Sequence, residues 1–203
     1  MKFFKWKQFL ITGFFCLVPI LFGVILWDKL PDTVAIHFNI YGEPDNYASK
    51  GFVVFGLPVL MLLLQWFCCF INDINSYNHG ERHKFETVTK WIVPCLTIAL
   101  QILTLGYAIG LNINITKAVS LIIGIMFILL GNYIPKFDKV KNNKVDTEKT
   151  RKINRFIGYE TVIMGLLFLI SIFLPEKYTI ACIILLIPYA VIAIVYSIIT
   201  SKK

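Results

Sequence analysis

LPDTVAIHFNIYGEPDNYASK, residues 30–50, is a polar stretch set between two apolar runs that are each long enough to cross a bilayer. Its first half alternates: Val34, Ile36, Phe38 and Ile40 fall on one side, Ala35, His37, Asn39 and Tyr41 on the other. A period of two predicts a short, half-buried strand. The next five residues, Gly42-Glu43-Pro44-Asp45-Asn46, carry turn chemistry. Glycine tolerates positive φ, proline presets φ, and Asp and Asn bond their own backbone. The stretch therefore predicts a β-like, structured loop tethered between two spans. The rest of the chain reads as the membrane scaffold that presents it.

The 203 residues are 57% hydrophobic and 16% charged, too few charges for an ordinary soluble domain. Apolar runs of about twenty residues recur six times, which predicts an all-α, multi-pass protein of the cell membrane with six transmembrane helices. The first run follows Lys2, Lys5 and Lys7 as a signal peptide would, but it continues to Trp27 without a small-x-small cleavage site and is read as a retained span. The expected spans are residues 8–27, 52–71, 91–111, 118–133, 157–174 and 178–199, with polar loops at 72–90 and 134–156. Lys and Arg divide 16 to 4 between the two sides of this layout. The positive-inside rule then places both termini and the basic 134–156 loop in the cytoplasm, and the 30–50 loop outside. The expected division is a first helix pair with its external loop, residues 1–73, and a four-helix region, residues 74–203. No internal repeat supports an inverted-repeat transporter.

The five cysteines, Cys16, Cys68, Cys69, Cys95 and Cys182, all fall in predicted spans, where small apolar packing is their expected role. The net charge of +8 is distributed for lipid headgroups, so direct nucleic-acid binding is not expected. His37 with Asp32, Glu43 and Asp45 is a weak version of a metal or acid–base site, and Asx-turn chemistry accounts for the same residues. His79 and His83 stand four apart like a zinc pair, but Gly80 occupies the place where a metalloprotease needs glutamate. Glu160 is read as the one ionisable group inside a span, about a turn into the fifth, with Arg155 near enough to pair with it. Gln65, Gln101 and Asn132 are expected to hydrogen-bond between helices, and Gly106 with Gly110 to mark close helix packing. Asp146 or Thr147 is expected to cap a short helix reaching Arg155. No phosphate loop, nucleophile triad or dicarboxylate pair is present, so no catalytic residue, metal or cofactor is expected.

Two stretches resemble the SdpI family of bacterial membrane proteins. In the first, Pro31, His37-Phe38-Asn39, Gly42-Glu43-Pro44-Asp45 and Ser49-Lys50 are similar to the family's small N-terminal domain. In the second, residues 107–136, a short Asn-Ile-Asn turn leads through a Gly-rich span to Gly131-Asn132-Tyr133-Ile134-Pro135-Lys136, similar to the family's closing Gly-Asn-Tyr-x-Pro-Lys. The chain departs from the family after Lys136. FDKVKNNKVDTEKTRKINRF stands where relatives carry a segment with a Pro-Trp core, and the pattern resumes near Arg151 to Gly158. The resemblance implies immunity to a secreted antimicrobial peptide, and signalling of that toxin by holding a cytoplasmic repressor at the membrane. On this reading His37, Phe38, Asn39, Gly42, Pro44, Asp45 and Lys50 bind the peptide, while Gly131, Asn132, Pro135, Lys136 and Glu160 serve the membrane region. The partners are then the lipid bilayer, an extracellular peptide toxin and a cytoplasmic repressor. Two other classes remain open on the residues: a small transporter or channel-like oligomer, which needs polar groups lining a path, and a membrane-embedded enzyme using His37 and Asp45.

Overall fold

The computed structural model describes residues 4–39, 41–79, 83–136 and 147–202. Among these residues six helices are long and apolar enough to span a membrane: α1 (Trp6–Ile25), α2 (Leu57–His79), α3 (His83–Ala108), α4 (Ile115–Tyr133), α5 (Thr147–Ser171) and α6 (Glu176–Lys202). Between α1 and α2 lies a two-stranded antiparallel hairpin, β1 (Thr33–Phe38) and β2 (Pro44–Ser49). A π-turn, Phe52–Gly56, joins β2 to α2. The expected six-span architecture with a small β element between the first two helices is thus present.

The helices run past the apolar runs that announce them. Residues 72–79 and 83–90, expected as a loop, continue α2 and α3. Polar residues extend a helix at little cost once an adjoining span has nucleated it. Likewise Thr147 opens one continuous 25-residue helix instead of a short separate one. Gly80, between His79 and His83, lies outside the described residues, as do residues 137–146 of the basic loop. The Gly106–Gly110 spacing is not a packing seam throughout. Gly110 has φ +84° with open space around its Cα; its N–H bonds Tyr107 O, and Leu111 N–H bonds Gly106 O. Those two bonds are a Schellman cap ending α3.

The chain folds as two compact units, residues 1–74 with 90–118, and residues 75–89 with 119–203. In the first, Leu30, Val34, Val53, Val54 and Leu105 form a fully buried cluster, with Ala48 and Ala108 against it. The hairpin is therefore packed onto the adjoining ends of α1, α2 and α3. Burying Val34 alone stabilises this docking by about 2 kcal/mol. In the second unit, Met164 and Phe168 of α5 and Cys182 of α6 make the core with Phe127 and Tyr189. Here α4 and α5 approach through glycine: a Cβ on Gly131 would lie 2.7 Å from Gly158 O, and one on Gly165 2.8 Å from Gly124 O. Close backbone approach through small residues is how helices associate when lipid removes the hydrophobic drive.

Candidate functional site

The hairpin departs from strict alternation, and two bulges are the cause. Ala35 pairs with Tyr47 and His37 with Asn46, so Ile36 is an extra residue on β1. His37 pairs with Asn46 and Phe38 with Pro44, so Asp45 is an extra residue on β2. A bulge turns the following side chains to the other face. Val34 and Ala35, ahead of the first bulge, are both buried, whereas the bulged Ile36 and the following His37 are both exposed, against the expected Val34/Ile36 face. Pro44, Asp45 and Asn46, expected as turn residues, begin β2 instead.

The bulged Asp45 carries its carboxylate across to His37, with Nδ1 and Oδ1 2.5 Å apart, and both side chains remain open to solvent. Asn39 builds the turn. Its Oδ1 accepts the N–H groups of Tyr41 and Glu43, at 2.9 and 3.0 Å, and its Nδ2 donates to Glu43 Oε2. Gly42 has φ +77°, and a Cβ there would lie 2.8 Å from Thr116 Oγ1, so the tip rests on the first turn of α4. Phe38 meets Tyr107 edge to face at 5.0 Å. Lys50 binds Asp32 through its Nζ at 3.2 Å and through its backbone N–H, and its ammonium lies 5.2 Å from the centre of the Trp27 ring. The seven residues expected at the site thus divide. Asn39, Gly42, Phe38, Pro44 and Lys50 shape and anchor the hairpin, Pro44 by pairing with Phe38, while His37 and Asp45 are open to solvent, as are Tyr41 and Tyr47. Among the described residues no group of three His, Cys, Asp or Glu side chains is placed to hold a metal ion.

A second polar centre was not foreseen from the sequence. Lys90 and Asp73, both assigned to a loop, form a buried ion pair with Nζ and Oδ1 2.5 Å apart and side-chain exposures of 2% and 0%. Lys90 Nζ also donates to Gln8 Oε1 at 2.6 Å, and Lys5 N–H donates to Asp73 Oδ2 at 2.9 Å. The pair ties together α1, α2 and α3 at the ends opposite the hairpin. Gln65, fully buried one level further in, donates from Nε2 to Lys90 O and to Thr12 Oγ1 at 2.9 and 2.7 Å. Gln101 donates to Val53 O at 2.9 Å near the hairpin. Both glutamines therefore bond between helices as expected, but Glu160 is not the only ionisable group enclosed with the spans. The signal available was a pair of opposite charges just beyond the facing ends of consecutive apolar runs.

In the second unit Gly131 and Pro135 both lie against Gly158 of α5. Lys136 Nζ donates to Asn132 Oδ1 at 3.3 Å and sits 4.7 Å from the centre of the Tyr133 ring. The closing motif is thus a helix-packing device ending in a cation at the helix terminus. Asn132 bonds along its own helix here, not between helices. Glu160 is half-buried, and its Oε2 is enclosed without a hydrogen-bond partner among the described residues, so that oxygen makes no pair with Arg155. All five cysteines are free; Cys16, Cys69 and Cys182 are buried, whereas Cys95 is exposed.

A family model described as a domain of unknown function, DUF1648, matches residues 14–62, which span most of α1, the hairpin, the π-turn and the start of α2. Over 193 residues the chain is 25% identical to the immunity protein SdpI of Bacillus subtilis (strain 168), covering 92% of this chain and 91% of that one. No solved structure matches the chain. The resemblance to the SdpI family carried by the two motifs therefore extends along nearly the whole length of a multi-pass protein of the cell membrane.

Proposed function

We propose that this chain is a membrane immunity protein whose outward hairpin binds a secreted antimicrobial peptide. The observation that carries the reading is the build of the hairpin. A two-stranded sheet alone is marginal in water. This one is fixed by Val34 and Ala48 in the helical core, by Phe38 on Tyr107 and by the tip on Thr116, and it leaves His37, Asp45, Tyr41 and Tyr47 exposed. A rigid element with free aromatic and polar groups loses little entropy when a partner docks. Similarity to an immunity protein over nearly the full chain supports the same reading.

Binding, rather than catalysis, is the role the His37–Asp45 pair suits. Both groups are solvated on an open face, where water screens the charges that a catalytic site must focus on a transition state. A transport path is also poorly served. The buried Lys90, Asp73, Gln65 and Thr12 bond one another, so they join helices in place of lining a channel. The cytoplasmic half of the proposal is that toxin occupancy is passed to a repressor through the basic face that includes Lys149, Arg151, Lys152 and Arg155.

The test is survival of a sensitive bacterial strain expressing the chain, challenged with a panel of membrane-active peptides. Wild type protects against at least one peptide, and His37→Ala with Asp45→Ala loses that protection at equal membrane abundance. Protection by the double variant equal to wild type would remove the binding face from the hairpin.

A further inference from the structure

The π-turn that joins the hairpin to α2 lies just ahead of Pro58, and the proline is its cause. Pro58 lacks an N–H, so some carbonyl one turn earlier must lose its helical partner. In the observed register Leu57 N–H bonds Phe52 O, five residues back. The next bond of that ladder would run from residue 58 to Val53 O, and the proline cannot make it. Gln101 Nε2 of α3 makes it instead, at 2.9 Å. In an ordinary α register Leu57 N–H would bond Val53 O, and the orphan would be Val54 O. Val54 is fully buried, so that carbonyl would be taken from water without a partner. Gln101 therefore favours the π register, in which Val53 O is the carbonyl left open for its side chain.

Changing register is not a local event. Removing the extra residue of a π-turn rotates the following helix by about 100° and shifts it by ~1.5 Å. Residues 57–71, LPVLMLLLQWFCCFI, hold only one strongly polar side chain, Gln65, so this part of α2 presents an apolar surface at any rotation. Its angle is held by Leu62 seated against Gly13 of α1 and by polar contacts, Gln65 on Lys90 O and Thr12, and Asp73 on Lys90 and the Lys5 N–H. A rotated α2 takes Gln65 and Asp73 away from those partners.

We propose that the unit built from α1, α2 and α3 is a two-register switch. In one state α2 is held in the π register by Gln101 and by the Lys90–Asp73 clasp; in the other α2 is α-helical throughout, rotated, and the clasp is open. The hairpin is its input end, because β2 runs into the π-turn within three residues and Phe52 N–H bonds Ser49 Oγ. The clasp at the opposite end of the same helices is its output. This device stands apart from the identity of anything that binds the hairpin, and its test uses no peptide.

Spin labels are placed at Lys7 on α1 and Ile71 on α2, both exposed, in the full chain with its five cysteines replaced, and the label separation is measured by pulsed dipolar spectroscopy. The unmutated background gives one distance. Gln101→Leu removes the selection and gives two resolved populations whose separation differs by about 5 Å or more, the displacement of a label turned through that angle. Pro58→Ala restores the N–H, favours the ordinary α-helix and moves the distribution towards the second distance. Adding Asp73→Leu with Lys90→Met to Gln101→Leu removes the clasp and enlarges the second population further. One unchanged distance in every variant overturns the proposal. So does a broad distribution without a second peak, which would report loosening of the unit and not a second register.

Discussion

Asp73 and Lys90 show how far one pair of residues can depend on partners distant in sequence. Each reads by itself as a loop charge, because the contact that buries it joins different helices, and the one signal is their opposite sign at the facing ends of two apolar runs. Removing one partner strands the other in a dry site. Lys90→Met or Asp73→Ala is expected to cost about 3–5 kcal/mol, whereas Lys90→Met with Asp73→Leu together is close to neutral. Thermal unfolding of the purified protein in detergent reads both, and equal losses for single and double variants would contradict the account. His37 and Asp45 were legible as candidates, but their approach depends on a bulge at Asp45 that the sequence does not signal. If they bind and do not react, as proposed, His37→Ala is expected to weaken peptide affinity about ten-fold, or ~1.4 kcal/mol, and not to abolish protection. Titration of protection against peptide concentration measures that shift.

At the level of elements, hydropathy located every span but not its ends, since helices continue through polar residues wherever tertiary partners receive them. Asp73 in α2 and Lys90 in α3 are the case in point. The hairpin was half legible. Alternation announced β1, whereas Pro44 and Asp45 disguised β2 as turn. The glycines of α4 and α5 were similarly ambiguous, because spacing does not reveal which helix they face. Gly131 and Gly158 meet almost backbone to backbone, with Pro135 against Gly158. Gly131→Ala would set a methyl against Gly158 O and Val162 N, neither of which is a flexible side-chain end. It is expected to destabilise the second unit by about 1–3 kcal/mol through forced backbone shifts. By contrast Gly110→Ala meets no atom within 4 Å and is strained only by its positive φ, at a cost of about 1–2 kcal/mol. Protease resistance of the two variants in membranes, followed fragment by fragment, distinguishes damage to one unit from damage to the other.

For the whole molecule, fold class and membrane location followed from composition and apolar run length, and the charge division adds an orientation. The proposed layout puts residue 46 outside and both termini inside. A single cysteine at Asn46 is then labelled by a membrane-impermeant maleimide on intact cells, whereas one at Lys2 is labelled only after lysis. Function was legible only through the two motifs. Among the described residues, the structure adds a sheet packed on the helix ends, and its role as an outward binding face is the central claim. The most direct measurement places a photo-reactive residue at Tyr47, on the exposed hairpin face, or at Leu64, on an exposed apolar face of α2. Cells expressing each variant are irradiated with a labelled peptide against which the chain protects. The account predicts capture of the peptide at position 47 and none at position 64. Undiminished protection with capture at position 64 but not at position 47 would contradict it, and would move recognition from the hairpin to the lipid-facing helices.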